Sequence, residues 1–439
     1  MHKQISSVAL HILGLEPFVV GIASALGVVS ERFLYITVGI ALLFWLLRWL
    51  TLGWFAIRTP LDFPLCILVI MLPITLWATA LPSFTQLQVL RLLSNIALFY
   101  VVSHWVCNQS RQVNISRLLI FTFGLSFLGL LLALIAPISI EWPLTKLPIP
   151  STIYQYLPQL ISNGIHPNVM AGTLVMLLPI PLAFLIFPTP SLEITLNSAH
   201  ARPRWLWHSF ALFNLIAVLA MMAVLILTQS RGALLALATV LCTLCLLRWP
   251  RSRLLLLVFF VVVILLSALQ PIRLQSLVAL LINDTGVSTT AIRVEAWSRA
   301  WYMLQEFPFT GIGMGTYKQV ADLLYPFFTV PEALPHAHNL LLQVGVDLGL
   351  PGLIAYLALL INLFAMLIVM LRTFPIHTWQ RNVTLGATGS VVAMLVHGLW
   401  DAVTWGTKLS FIPWLLFALI TLLFLSIQAP EYNAQSETV

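Results

Sequence analysis

The chain has 439 residues, of which 60% are hydrophobic and only 8% are charged, and its mean hydropathy is +0.99. Because soluble globular domains contain about 45–50% apolar residues, this composition excludes a soluble protein and indicates an integral membrane protein. The formal net charge of +7 comes from Lys and Arg residues scattered at the ends of apolar segments, which argues against nucleic-acid binding and predicts contact with anionic membrane lipids.

Twelve apolar segments are each long enough to cross a hydrocarbon core of roughly 30 Å as a helix. The first contains Glu16 and Pro17, so it is predicted to be interrupted, tilted or re-entrant. The expected fold is an all-α polytopic membrane protein with a single integral membrane domain over residues 1–439. In chain order the predicted spans are 8–28, 33–54, 61–81, 87–106, 117–139, 168–187, 206–228, 232–248, 253–269, 350–372, 382–403 and 409–427.

Lys and Arg residues favour the cytoplasmic ends of membrane helices when the connections between helices are short. In this chain they gather at alternate connections, which contain Arg58, Arg111, Arg202, Arg251 and Arg372. Far fewer basic residues lie at the other ends of the predicted spans. The pattern predicts that both termini are cytoplasmic.

Two outer connections, residues 140–167 and 270–337, are longer than the others, and the second joins the ninth and tenth predicted spans. Long connections are usually functional or disordered, and the many aromatic residues here favour an ordered lid at the membrane boundary. Within the second, residues 291–306 are predicted to form a helix that lies along the membrane surface or against the bundle. Its apolar stripe consists of Val294, Trp297, Ala300, Trp301 and Leu304, with Glu295, Arg299 and Glu306 on the opposite side.

Two other motifs predict neither a cofactor nor a metal. The sequence GIGMG at 311–315 predicts a tight turn, because no buried strand precedes it as a nucleotide-binding loop requires. Cys242 and Cys245 have C-x-x-C spacing but lie inside the predicted span 232–248, which favours small buried apolar residues over redox or metal chemistry.

Three polar clusters stand where predicted helices begin on the outer side: NGIHPN at 163–168, QSRG at 229–232 and HAHN at 336–339. Helix N-termini carry unpaired N–H groups and the positive end of the helix dipole, so they favour anions. Arg231 and Arg293 add fixed positive charge on the same side, and a guanidinium group can make two parallel hydrogen bonds to a phosphate. The sequence therefore predicts a site for a lipid phosphate or pyrophosphate at the outer boundary.

Candidate binding side chains in and near the clusters are His166, Asn168, Gln229, Trp297, His336 and Asn339. Structural alternatives stay open for the cluster residues. His166 and Asn168 could cap the helix that follows, with Pro167 in its first turn, and Arg231 could merely extend from a helix end to water. The histidines could be structural.

Three residues near the outer end of the predicted span 382–403 could line the same cavity: His397, Trp400 and Asp401. An ionisable residue within a membrane span is by default a functional candidate. A histidine that packs and hydrogen-bonds between helices is nevertheless the favoured interpretation of His397.

The pattern His338, Asn339, nine residues, Gly349, two residues, Gly352 resembles the signature of the bacterial O-antigen ligase and polymerase superfamily, and a large outer loop precedes it as in that family. The arginine of QSRG, the arginine that begins RVEAWSRAWYMLQEFPFTGIGMGTY and the HPN motif at 166–168 also resemble family positions. The resemblance spans residues 163–352. It does not separate ligases from polymerases.

The resemblance implies a metal-independent glycosyltransferase of the GT-C type, without a cofactor, in the bacterial inner membrane. Its partners would be membrane lipids, a glycan carried by undecaprenyl pyrophosphate, and an acceptor glycan or glycolipid such as lipid A core. His338 would act on the periplasmic side as the general base that activates an acceptor hydroxyl, with inversion at the anomeric carbon. Arg231 and Arg293 would stabilise the leaving pyrophosphate. Which of His336 and His338 is the base stays open.

Gly349 and Gly352 are expected to let their helix approach a neighbour closely and so hold His338 in place. The main alternative function is a transporter of bicarbonate or another small anion, which should place its binding residues near the bilayer midplane on repeated, broken helices. Here the polar residues gather at one face, which favours an enzyme. A scaffold subunit without chemistry would not need the arginines and histidines.

Overall fold

The computed structural model describes residues 2–107, 111–140, 164–187, 205–248, 289–328 and 334–428, and these residues fold into helices without a β-sheet. The helices, in chain order, are α1 (His2–Gly14), α2 (Glu16–Val29), α3 (Arg32–Leu52), α4 (Asp62–Ala78), α5 (Pro82–Val106), α6 (Ile115–Ser139), α7 (Pro167–Leu177), α8 (Pro179–Ile186), α9 (Trp205–Leu227), α10 (Arg231–Arg248), α11 (Thr289–Glu306), α12 (Tyr317–Leu324), α13 (Leu340–Thr373), α14 (Trp379–Gly398) and α15 (Ile412–Leu425).

In the described ranges, eight helical segments are long and apolar enough to cross a membrane, and α4 and α15 are shorter apolar helices. The expected all-α polytopic membrane protein is therefore confirmed. The predicted span 253–269 lies outside the described residues, as does most of the predicted outer connection 140–167. The interruption of the first span is also confirmed, because α1 ends at Gly14 and α2 begins at Glu16 with Pro17 in its first turn.

Helix α14 is surrounded by other helices of the bundle and packs against α8, α10 and α13. A Cβ atom added at Gly386 would lie 2.8 Å from Cα of Ile180, and one at Gly389 would lie 2.9 Å from Cβ of Pro179. These glycines allow α8 to approach α14 closely, which is the way small residues bring membrane helices together. The close packing fixes the C-terminal end of α14, where His397 stands.

Helix α13 is kinked at Gly349, whose φ of 69° and ψ of −174° are not helical. A straight helix of its 34 residues would measure about 51 Å at 1.5 Å per residue, well beyond a bilayer core of about 30 Å. The predicted span 350–372 corresponds to the part after the kink. The nine residues before the kink, Leu340–Leu348, carry the helix N-terminus that follows HAHN.

The expected close approach to a neighbour is confirmed at Gly349, where the neighbour is a turn, and stays a prediction for Gly352. A Cβ atom at Gly349 would lie 2.7 Å from the carbonyl carbon of Phe309, so its close neighbour is the turn after α11. The N–H of Leu350 donates to Pro308 O at 2.6 Å in the same place. A Cβ atom at Gly352 would lie 2.2 Å from Cβ of Leu348, on its own helix. The kink at Gly349 thus allows the turn at Pro308–Phe309 to pack against α13.

Helix α11 includes the predicted helix 291–306, but its buried face differs from the predicted stripe. Ala300 and Leu304 are buried, whereas Val294 and Trp301 are 53% and 52% exposed. The side chains of Glu295 and Arg299, expected on the outer side, are only 10% and 13% exposed because they form an ion pair at 3.0 Å. Mutual neutralisation allows both charges to face the protein.

Helix α6 joins the two ends of the bundle. Its N-cap Asn114 accepts a hydrogen bond from the N–H of Arg117. Beyond its C-terminus, Ile140 forms an isolated bridge with Ile165, which directly precedes the HPN motif. The 25 residues of α6 separate these two ends by about 37 Å.

Candidate functional site

Helix α7 begins at the HPN motif, and His166 is its N-cap. The Nδ1 atom of His166 accepts a hydrogen bond from the N–H of Asn168 at 3.2 Å, and Pro167 occupies the first turn. The capping alternative for His166 is therefore confirmed. The Asn168 side chain is not used for capping, because its Nδ2 atom donates to Oδ2 of Asp401 at 3.1 Å.

The HAHN segment forms a tight turn before α13. His338 has a φ of 50°, a left-handed conformation that is uncommon for residues other than glycine. The turn is held by Nδ1 of His336, which accepts from the N–H of His338 at 3.2 Å, and by Asn339, whose Oδ1 accepts from the N–H of Leu342 at 3.0 Å as the N-cap. Asn339 also donates to Leu399 O at 3.3 Å. Strained backbone of this kind is concentrated at functional sites.

Asp401 is the residue on which the cluster converges. Its Oδ1 atom lies 3.3 Å from Nδ1 of His338 and 3.4 Å from Nε2 of His336, and its side chain is only 5% exposed. Burial favours the neutral acid, but contact with His338 and the charges of His336 and His397 outweigh that effect and hold the pKa of the Asp401 carboxyl below its usual range. Asp401 is therefore ionised at neutral pH.

The contacts indicate different states for the two histidines. Because Nδ1 of His336 accepts from a backbone N–H, the proton of its neutral ring stands on Nε2, which faces Asp401. Both ring nitrogens of His336 are thus engaged. In His338, Nδ1 lies 3.3 Å from the carboxylate of Asp401 without the geometry of a hydrogen bond; the negative charge favours the tautomer with the proton on Nδ1 and the lone pair on Nε2. Within the part of the chain that the structure describes, Nε2 of His338 has no hydrogen-bond partner.

The pKa of His336 is lowered from its ordinary value of 6.5 to about 4. Burial is the main cause; Asp401 opposes it, whereas the positive charges of His338, His166 and Arg293 add to it. His336 is therefore neutral at pH 7 and suited to orienting its neighbours. The effect of Arg293 also shows that this arginine lies within electrostatic range of the histidine pair.

Helix α11 supplies one wall of the site. Nε1 of Trp297 donates to His338 O at 3.2 Å, and the Trp297 ring centroid lies 6.0 Å from that of Trp400. Arg293 lies one turn before Trp297, and among the described residues its buried Nε atom has no hydrogen-bond partner. The wall thus combines two indoles with one guanidinium group.

Arg231 is the first residue of α10, and Gln229 stands two residues before it. Both side chains are exposed, and Gln229 has a φ of 52°. The adjacent Gly232 is close to the cluster, because a Cβ atom there would lie 3.5 Å from Cβ of Trp400 and 3.6 Å from Cδ2 of His397. The structure therefore brings the start of α10, where Arg231 stands, close to Trp400 and His397.

A second hydrogen-bonded network, which begins at Gln343 in α13, supports the HAHN turn. Oε1 of Gln343 accepts from the N–H of Ala337 at 2.7 Å, and its Nε2 donates to Oδ1 of Asp347 at 2.9 Å. Asp347, fully surrounded by protein, also accepts from Nε1 of Trp405 at 2.8 Å and from the N–H of Gly315 at 3.2 Å. The network connects the turn at 311–315 with the backbone next to His338.

His336, His338 and Asp401 could hold a metal ion, since their ligand atoms all lie within 4.8 Å of one another. Two imidazole nitrogens and a carboxylate oxygen are a donor set that Zn²⁺ accepts. Such an ion would occupy the atoms that orient His338.

The sequence predicted Asp401 only as a residue that could line the cavity. It did not identify Gln343 or Asp347. Two signals were available. Each aspartate stands in or at the end of a strongly apolar helix, where an ionisable residue is a functional candidate. Gln343 stands four residues before Asp347, which places both on one face of a helix.

Residues 215–357 match the family model described as O-antigen ligase, and no curated protein matches the chain. The matched range includes Arg231, Arg293 and both histidines of the HAHN turn. The match confirms the resemblance to the O-antigen ligase and polymerase superfamily over residues 215–357. It gives no support to a transporter.

Proposed function

We propose that this chain, whose residues 215–357 match the O-antigen ligase family, transfers a glycan from undecaprenyl pyrophosphate to a hydroxyl group of an acceptor glycan or glycolipid. The observation that carries the proposal is the contact of Asp401 with Nδ1 of His338 at 3.3 Å. This contact supports Nε2 of His338 as a lone-pair base, with Arg293 within electrostatic range and Arg231 at the nearby start of α10.

His338 is assigned the role of general base in this reaction. Nε2 accepts the proton of the acceptor hydroxyl while the hydroxyl oxygen forms a bond with the anomeric carbon. The bond between that carbon and the pyrophosphate oxygen breaks, its electron pair remains on the pyrophosphate, and the configuration at carbon is inverted. Asp401 holds the proton on Nδ1 and stabilises the imidazolium ion that forms, as an aspartate does in other histidine-based sites.

Arg231 and Arg293 are assigned to the leaving group. Negative charge grows on the pyrophosphate as the bond breaks, and fixed guanidinium groups can stabilise it without rearrangement. Pyrophosphate is a good leaving group, so the reaction needs neither a second carboxylate nor, in this form, a metal or cofactor. His166, Asn168, Gln229, Trp297, His336 and Asn339 are proposed to shape the surrounding binding surface.

The proposed location is the bacterial inner membrane, with one membrane domain over residues 1–439 and the outer connections 140–167 and 270–337 on the periplasmic side. The asymmetric distribution of Lys and Arg supports this orientation. Lipid A core is the proposed acceptor of a ligase. In a polymerase, the other activity of the superfamily, the acceptor is a further glycan repeat.

A transfer assay with purified full-length protein tests the proposal. The donor is a polyprenyl pyrophosphate-linked oligosaccharide, EDTA is present throughout, and lipid A core and free glycan repeat are offered separately. Loss of a general base should lower turnover by roughly 10²–10⁴-fold in His338→Ala. His208→Ala, an exposed histidine at the start of α9, is the matched control and should keep full activity.

Full activity of a folded His338→Ala protein would exclude His338 as the base. Product formation with one acceptor only would distinguish a ligase from a polymerase. If the wild-type protein transfers nothing to either acceptor, the assignment as a transferase of these substrates is wrong.

A further inference from the structure

A second polar cavity, of about 660 Å³, lies at the end of the bundle opposite His338. Its lining includes Asn114, the N-cap of α6. The cluster of His336, His338 and Asp401 adjoins the other end of that helix. The two sites are therefore separated by about 37 Å, the length of α6. The catalytic proposal makes no use of this cavity.

Three buried ionisable side chains form the inner wall of the cavity. Glu16, at the start of α2, is 1% exposed and pairs with Nη2 of Arg48, and its other oxygen lies 3.2 Å from Nδ1 of His104. Nε of Arg48 and Nε2 of His104 have no hydrogen-bond partner in the described part of the chain. A buried polar atom without a partner carries a free-energy cost. The nitrogens of Arg48 and His104 can therefore still form hydrogen bonds with a ligand, in addition to their contacts with Glu16.

Further positive charge stands at the cavity mouth. Arg117 lines the cavity, and the guanidinium carbons of Arg48 and Arg111 lie 5.2 and 5.0 Å from the ring centroid of Trp54. Two arginines of the lining, Arg48 and Arg117, thus accompany a single carboxylate, Glu16. The local excess of positive charge favours an anion.

The remaining lining of the cavity is apolar. It includes Leu10, Leu13, Pro17 and Leu52. A volume of this size suits a small-molecule ligand, since such pockets measure about 300–1,000 Å³. A wall that is charged on one side and apolar on the other matches an amphiphile with an acidic head, and basic pockets between membrane helices on the cytoplasmic side bind such headgroups.

We propose that the cavity bounded by Glu16, Arg48, His104 and Arg117 binds a phosphate group, either in the headgroup of an anionic lipid or as free phosphate. Arg48 and Arg117 bind the phosphate oxygens. Glu16 holds Arg48 in position, and the leucines contact the glycerol and upper acyl carbons when the source is a lipid.

The test measures ligand-induced shifts in Tm of the purified full-length protein in neutral detergent. The probes are dioleoylphosphatidylglycerol, dioleoylglycerol, which has the same chains without phosphate, and inorganic phosphate. The variants are Arg117→Gln and the double variant Glu16→Gln/Arg48→Gln, which removes both charges of the buried pair together. Arg58→Gln, an exposed arginine that does not line the cavity, is the matched control.

Phosphatidylglycerol should raise the Tm saturably and dioleoylglycerol should not. Loss of one charge-assisted hydrogen bond should weaken binding by roughly tenfold or more in Arg117→Gln, with Arg58→Gln unchanged. An equal effect of inorganic phosphate alone would identify free phosphate as the source. If the double variant does not fold, Arg117→Gln decides.

The proposal is overturned if no phosphate-containing probe shifts the Tm, or if Arg58→Gln loses as much affinity as Arg117→Gln. In either case the three buried residues serve only to join the helices. The transfer assay on His338 is independent of this outcome, because it uses different variants and a different readout.

Discussion

Oδ1 of Asp401 lies 3.3 Å from Nδ1 of His338, although one residue follows α14 and the other precedes α13. The two helices pack against each other, which brings the turn before one next to the turn after the other. The pairing fixes the order of the groups in the site. The carboxylate of Asp401 contacts Nδ1 of the His338 imidazole, and the lone pair on Nε2 of the same ring is left without a partner among the residues that the structure describes. The pairing also makes Asp401 a positioning residue whose effect can be measured.

Asp401→Asn should lower turnover by about 10²–10⁴-fold. An amide can present its N–H₂ to Nδ1 of His338, which favours the tautomer with the proton on Nε2 and removes the base. The pH–rate profile should lose the inflection that reports a base, while the KM of the donor changes little. Asp322→Asn, an exposed residue of α12, is the control. An unaltered pH profile in Asp401→Asn would contradict this role.

Arg231→Lys and Arg293→Lys should each reduce kcat/KM for the pyrophosphate donor by about tenfold or more. Lysine keeps the charge but cannot make two parallel hydrogen bonds to one phosphate. Steady-state kinetics with varied donor concentration measure the effect, and Arg58→Lys serves as the control. Wild-type kinetics in both lysine variants would mean that neither guanidinium group contacts the leaving group.

His336 should make stability dependent on pH. Its pKa is about 4 in the folded protein and 6.5 ordinarily, so between these values the unfolded chain binds the additional proton. Stability contributed by His336 is therefore complete above pH 6.5 and declines as the pH falls towards 4, by up to about 3 kcal/mol. Thermal unfolding across this range should show a shallower decline in His336→Asn; equal slopes would refute the assignment.

Zn²⁺ should inhibit transfer, and EDTA should reverse the inhibition. The ion would take its ligands from His336, His338 and Asp401 and thereby immobilise the proposed base. His336→Asn removes one ligand and should need about tenfold more Zn²⁺ for half-maximal inhibition. Stimulation by Zn²⁺ in place of inhibition would instead indicate a metal-assisted reaction.

Much of the fold could be predicted from hydropathy, because a bilayer demands long apolar helices whatever their tertiary contacts. The interruption at Glu16 was predictable from a charge followed by proline. The buried face of α11 was not, because Glu295 and Arg299 neutralise each other, and sequence periodicity alone treats both as solvent-facing. The contact of Gly349 with the turn at Phe309 likewise depends on a neighbour far away in the chain.

For the candidate site, sequence placed the three polar clusters at helix N-termini on one side, and the structure has α7, α10 and α13 beginning there. The partners of the clusters could not be derived from the sequence. Asp401 joins Asn168, His336 and His338 only after α14 is packed. The left-handed turn at His338 has no glycine or other local signal, so it too is imposed by tertiary contacts.

The kink at Gly349 has a consequence for protein engineering. The turn at Pro308–Phe309 occupies the space that any side chain at position 349 would need, and the left-handed φ at that position disfavours other residues as well. Libraries intended to change the acceptor range should therefore keep 308–315 and Gly349 constant. Variation at Gln229 and the exposed face of α11 would alter the surface around the base without redirecting the helix that carries it.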